Sequence, residues 1–240
     1  MRTVIITGAT RGLGLTLADH LLREGYRVVG VGRKISEGFE KLVSTYPETG
    51  LFEPFDLSEL AKIHGFSTEI VRRHGRPWGL INNAALGSDG VLATQHESEI
   101  AALIRVNIES PILLTKYILR PMLIARGGRI INISSIIAST GFNGLSVYGA
   151  TKAALIGFTK SLAREVGKAG ITVNTIAPGY MDTDMTAGLE GEKLASIKRR
   201  SPLGRLATTA DVAHAVSYLL GDGAANVTGT TLTIDAGSTA

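Results

Sequence analysis

Short apolar, β-branched runs alternate with longer stretches of helical spacing through all 240 residues. This alternation predicts an α/β protein built on a parallel sheet. A glycine-rich turn directly after the first run, and the lack of any Pro/Ser-rich linker, charge block or short repeat, sharpen the expectation. They point to one domain over residues 1–240, a doubly wound sheet of about seven strands with helices on both faces.

The first strand falls at Thr3–Thr7, around Val4-Ile5-Ile6, and a helix at Leu13–Glu24, where apolar residues recur at helical spacing. Strands follow at Arg27–Val31 and Leu51–Phe55, then a helix at Leu60–His74 and a strand at Gly79–Asn82. The long helical pattern Glu97–Ala125 reads as two helices, or as one kinked near Pro111. Beyond it come a strand at Gly128–Ser134, a helix at Val147–Val166, a strand at Thr172–Ala177, a helix at Ala210–Leu220 and a strand at Thr230–Ile234. Met181 to Ser201 is polar and poor in strand signal. Right-handed crossovers make this a Rossmann-type sheet with ligand loops at the carboxyl ends of its strands.

Composition removes several classes of function. No cysteine is present, which excludes disulfides, thiolate nucleophiles and cysteine–zinc sites. None of the five histidines sits in a motif, and no metal site is expected. The apolar run at the N-terminus stops at Gly8, too short for a signal peptide. No stretch approaches the ~18 apolar residues of a membrane span. A soluble, cytoplasmic protein is expected. The net charge of +4 is a mild excess. Its densest clusters, Lys198-Arg199-Arg200 and Arg72-Arg73-His74, are too short for a nucleic-acid face, so an anionic small ligand accounts for it better.

Two motifs carry chemistry. In Thr7-Gly8-Ala9-Thr10-Arg11-Gly12-Leu13-Gly14, a strand, a glycine turn and a helix start provide backbone N–H groups that can cradle a pyrophosphate. Gly8 allows the tight turn, Gly12 the approach of the phosphates and Gly14 close packing of helix on strand. Tyr148 and Lys152 lie four apart on a predicted helix, hence on one face. A cation beside a phenol lowers its pKa toward a useful acid/base range. Ser135 ends a strand thirteen positions before Tyr148, where its hydroxyl can steady a developing alkoxide. Ser134 beside it is a competitor.

With these motifs stand Asn82-Asn83-Ala84, Ile133-Ser134-Ser135, Asn174 to Gly179, Thr183-Asp184-Met185-Thr186, Pro202-Leu203-Gly204-Arg205 and Asp235-Ala236-Gly237. In that order they resemble the short-chain dehydrogenase/reductase family from Thr3 to about Gly237, most closely its β-ketoacyl-acyl-carrier-protein reductases. The resemblance implies NADPH-dependent reduction of a ketone, a 3-oxoacyl thioester in fatty acid biosynthesis, to the secondary alcohol. It implies Tyr148 as proton donor, Ser135 as oxyanion partner and Lys152 as holder of the nicotinamide ribose. Asn107 becomes a helix-kinking residue that holds a relay water. Asp56 with Leu57 would meet the adenine, Asn82 would face the adenosine ribose, and Asn83 and Ala84 would contact the cofactor. Pro178, Gly179 and Thr183 would line the carboxamide, with 181–201 as a substrate lid. Relatives pair the 107–125 and 147–166 helices into tetramers, which makes a homotetramer, or a homodimer, the expected assembly.

The second strand ends Val31-Gly32-Arg33-Lys34, with no acid before Glu37. Arg33 and Arg11 could pair with a 2′-phosphate, which favours NADP(H) over NAD(H). Two departures stand out. Ala85 replaces the glycine that usually follows Asn-Asn-Ala. Of the two basic positions expected to dock the carrier protein, Arg126 fits the first, whereas Ala169, after Lys168, occupies the second. A reductase of another small alcohol or ketone (sugar, polyol, steroid or secondary metabolite) therefore stays open. So does a dinucleotide-binding sensor without turnover, against which Ser135, Tyr148 and Lys152 stand together.

Overall fold

The protein is described by a computed structural model over residues 1–181, 196 and 198–240. Seven strands form one parallel sheet in the order β3-β2-β1-β4-β5-β6-β7. They are β1 Thr3–Thr7, β2 Arg27–Gly32, β3 Gly50–Pro54, β4 Gly79–Asn82, β5 Gly128–Ile133, β6 Ile171–Pro178 and β7 Thr231–Ile234. After β3 the chain returns to the other side of β1, so the switch in strand order falls between β1 and β4. A crevice at the carboxyl ends of the strands is expected there.

Alternation along each strand feeds two cores. Val4, Ile6, Ile131 and Ile133 pack with α1 (Gly12–Arg23), α2 (Glu37–Thr45) and α8 (Thr209–Leu220). Ile5, Leu80, Ile130 and Val173 pack with α3 (Ile63–His74), α5 (Ser110–Ile124) and α7 (Ser146–Val166). Strands covered on both faces read as nearly continuous apolar runs, which is why they were visible in the sequence. Among the described residues no helix is long and apolar enough to cross a membrane.

One row of the second core is polar. Asn82, Asn132 and Thr175 are register partners on β4, β5 and β6, and all three are buried. Asn82 Nδ2 donates to Asn132 Oδ1 at 2.8 Å and to Thr115 Oγ1 of α5 at 3.0 Å. Asn132 Nδ2 donates to Thr159 Oγ1 of α7 at 2.8 Å, and Thr175 Oγ1 reaches the same hydroxyl at 2.7 Å.

The structure differs from the sequence reading in three places. α2 was not anticipated. It buries only Phe39 and is fixed by Ser36, whose hydroxyl accepts from Phe39 N at its start. A second unforeseen helix, α6 (Ile137–Thr140), is a single turn. The 97–125 pattern divides into α4 (Glu97–Ile104), a π turn at Arg105–Glu109 and α5. The break lies at Asn107 rather than at Pro111, because Pro111 falls in the first turn of α5, where its missing N–H costs little.

Candidate active site

The loop after β1 is closed by its own backbone and by the loop after β4. Gly8 and Gly12 have φ of +65° and +50°, a region that glycine enters without a Cβ penalty. A Cβ on Gly14 would overlap the Gly8 carbonyl oxygen, and one on Gly8 would lie 2.9 Å from Ala84 Cα. Asn83 Nδ2 donates to the carbonyls of Thr7 at 2.9 Å and Gly8 at 3.2 Å. The N–H groups of Asn83 and Ala84 both donate to Thr7 Oγ1 at 3.0 Å. Ser36 Oγ donates to Thr10 O at 2.5 Å, tying the loop to the start of α2. Leu13 anchors the first turn of α1, which has no acidic residue and no side-chain cap at Arg11. Its first N–H groups therefore face the loop's mouth, ready for an anion. A cradle this narrow fits a pyrophosphate.

Arg11 and Arg33 are exposed and form no ion pair among the described residues. Asp56 accepts Ser58 N at 2.9 Å. That backbone bond, with the Ser58 hydroxyl and the charge of Arg33 also contributing, holds its carboxyl below the usual range. Glu59, not Asp56, precedes the next helical turn at Leu60–Lys62. Leu57 and Ala84 share the wall of a small cavity beside this loop. Asn82 is a correction: its side chain is committed to Thr115 and Asn132 inside the core, so it does not face a ribose. Ala85 keeps a negative φ, since among the described residues the only non-glycine positions with positive φ are Arg126 and Ala236. The Cβ there costs no backbone strain.

At the ends of β5 and β6 the reactive groups converge. The Ser135 hydroxyl favours the charged form of the Tyr148 phenol, and Ser135 Oγ accepts Ile137 N at 3.2 Å. Ser134 turns the other way and donates to Lys152 O at 2.8 Å. Lys152 is buried, with Nζ donating to Ile133 O at 2.9 Å and lying 5.6 Å from the Tyr148 ring centroid. Burial lowers the Lys152 pKa to about 8. Burial raises that of Tyr148, and only the nearby Ser135 hydroxyl opposes it. The expectation that Lys152 lowers the phenol pKa is therefore overturned. The ammonium is turned toward a strand carbonyl, and desolvation dominates.

Asn107 holds three elements together. Its Oδ1 accepts Leu86 N at 2.8 Å, and its Nδ2 donates to Leu86 O at 2.9 Å and Thr151 Oγ1 at 3.1 Å. Thr151 in turn donates to Tyr148 O at 2.7 Å. The side chain is thus fully engaged and leaves only the backbone carbonyl for a water. Pro111, four residues on, has no N–H to occupy that carbonyl. On the other side of the site, Gly179 N donates to Ile234 O at 2.9 Å, and a Cβ on Gly179 would lie 2.7 Å from Asp235 Cβ. Pro178 O accepts Ile136 N at 3.0 Å. Thr183 lies outside the described residues, as does most of the expected 181–201 lid.

Residues 8–239 match the family described as Enoyl-(Acyl carrier protein) reductase. The chain belongs to the short-chain dehydrogenases/reductases. It is 38% identical over 237 residues to the 3-oxoacyl-[acyl-carrier-protein] reductase FabG of Escherichia coli K12, covering 98% of this chain and 96% of that one. The protein of that name in Pseudomonas aeruginosa is 38% identical over 239 residues with the same coverage, and that of Vibrio cholerae 36% over 236 residues. Among solved structures, ElxO with NADP bound superposes with a TM-score of 0.90 at 32% identity, over 99% of this chain and 98% of that one. Sequence reasoning missed Ser36 and Thr151, which support the loop and the Tyr148 helix. Ser36 stands in no motif, and Thr151, inside the Tyr148–Lys152 run, finds its partner Asn107 forty-four residues away.

Proposed function

We propose that this short-chain dehydrogenase/reductase reduces a 3-oxoacyl thioester to the 3-hydroxyacyl form with NADPH. The meeting of Ser135, Tyr148 and buried Lys152, whose Nζ lies 5.6 Å from the Tyr148 ring centroid, carries the reading. Gly8, Gly12, Leu13, Gly14 and the Asn83-Ala84 loop would hold the pyrophosphate and adenosine, and Arg11 and Arg33 the 2′-phosphate. Asp56 and Leu57 would meet the adenine, and Pro178 with Gly179 the carboxamide. Bound NADPH supplies hydride to the carbonyl carbon. Ser135 donates to the carbonyl oxygen as it becomes an alkoxide, and Tyr148 gives that oxygen its proton. A raised phenol pKa suits this direction, because it keeps the donor protonated between turnovers. Lys152 positions the ribose, and a water on the Asn107 carbonyl returns the proton.

Carrier protein is the favoured form of the substrate. Arg126 Nη2 donates to Lys168 O at 3.0 Å, so basic residues from the ends of α5 and α7 stand side by side and exposed. Self-association is supported by an apolar groove between α4, the π turn and α7, lined by Leu92, Ile100, Ile104, Ile108, Val147 and Ala150. A homotetramer in the cytoplasm is our reading. The deciding experiment follows NADPH and NADH oxidation with acetoacetyl and crotonyl thioesters, each on carrier protein and on coenzyme A, with Tyr148→Phe alongside. Acetoacetyl turnover with NADPH, lost in Tyr148→Phe, supports the proposal. Reduction of the crotonyl thioester alone would make the enoyl description the better one, and turnover with NADH alone would remove the role of Arg11 and Arg33.

A further inference from the structure

Behind the dinucleotide loop, between the end of β4 and the π turn, lies a cavity of about 10 Å³ walled by Thr7, Asn82, Ala84, Val106, Ser110 and Leu114. Two polar atoms of the residues around it have no hydrogen-bond partner among the described residues, Asn82 Oδ1 and Ser110 Oγ. Asn82 is 4% exposed and Ser110 fully buried. Thr7 cannot serve them, since its hydroxyl donates to Ile81 O and accepts from Asn83 N and Ala84 N. Helical serines commonly return their proton to the carbonyl one turn back. Ser110 stands where the π turn ends, its N–H reaching back to Arg105 O, and its hydroxyl makes no such bond. A buried amide oxygen and a buried hydroxyl left unbonded would each carry a desolvation penalty. The space accommodates a single water and nothing larger.

We propose that Asn82 and Ser110 hold one structural water, and that this water fixes the Asn83-Ala84 loop against Gly8. The path is short. Asn82 ends β4, and the next two residues bond Thr7 and carry the Gly8 carbonyl. On the other side Ser110 opens α5 directly after the turn that contains Asn107. The polar row could also run in the opposite sense, with the Asn82 and Asn132 amides turned over. Asn82 would then present Nδ2 to the cavity, and a water serves that atom equally well. Ser110 is thus a positioning residue for the cofactor loop. Its effect on NADPH rests on the function proposed above, whereas the water itself does not.

Crystals of the wild type and of Ser110→Ala, diffracting to high resolution, test the site. One ordered water within about 3.2 Å of both Asn82 and Ser110 is expected in the wild type. No density there, or a Ser110 hydroxyl bonded to a helix carbonyl instead, overturns the site. For the positioning role, Ser110→Ala should weaken NADPH several-fold, in a direct fluorescence titration and as KM, while kcat stays within twofold. A clear wild-type water with an unchanged KM would overturn that role. Diffraction and direct NADPH titration need no ketone, so a wrong substrate class and a wrong water site give different results.

Discussion

Tyr148 and Lys152 are displaced by the same force in opposite directions. Burial disfavours both charged forms, so the phenol is held neutral and the ammonium is weakened. Tyr148→Phe should cut kcat by ~10²–10⁴, the usual share of general acid catalysis, with NADPH affinity retained in a fluorescence titration. Lys152 falls from 10.5 to about 8, so its ammonium is lost on that side of neutrality, and reductase activity should decline as pH rises through about 8. Stability moves the other way. A base whose folded pKa is depressed binds its proton more weakly when folded, so folding is penalised below the folded pKa. The penalty fades between about 8 and 10.5. At one unit per 1.36 kcal/mol it is on the order of 3 kcal/mol. The melting temperature of wild type relative to Lys152→Met should therefore rise across that window, and a flat difference would refute the depressed pKa.

At the scale of elements, the glycine loop is the tightest joint. Gly14→Ala would drive a methyl into the Gly8 carbonyl, an overpacking worth ~1–3 kcal/mol. Its melting temperature should fall and NADPH binding should weaken at least tenfold, measured by scanning calorimetry and titration. Most elements were legible in the sequence because the sheet is covered on both faces and its strands are rich in apolar and β-branched residues. The parts that were not legible have local causes. α2 buries one residue and depends on Ser36, and the π turn depends on what the Asn107 amide finds in Leu86 and Thr151, partners distant in sequence. Asn82 was misread for the same reason, since its place in the core is set by Asn132, fifty residues away. The direction of the Tyr148 shift was beyond the sequence too, because burial decides it.

At the scale of the whole molecule, the groove between α4 and α7 and the joined ends of α5 and α7 each make a prediction. Ile104 is 40% exposed within an apolar lining. Ile104→Asp should lower the mass measured by light scattering from tetramer toward dimer or monomer, and a monomeric wild type would remove the assembly reading. Arg126→Glu should raise the KM for an acyl-carrier-protein substrate at least several-fold and leave the coenzyme A thioester little affected. Equal effects on both would place Arg126 in structure rather than docking, because its left-handed backbone, with φ of +51°, also seats Gly170.

The polar row across β4, β5 and β6 answers a question that hydrophobicity leaves undecided. A strand shifted by two residues keeps every apolar side chain on an apolar face, so burial alone hardly separates the two alignments. Only one alignment sets Asn82 beside Asn132 and Asn132 beside Thr175, with Thr115 and Thr159 within reach. Any slipped alignment strands amides in oil. The bonded row thus favours the one register that sets Ser135 and Asn83 at matching heights over compact, apolar near-misses.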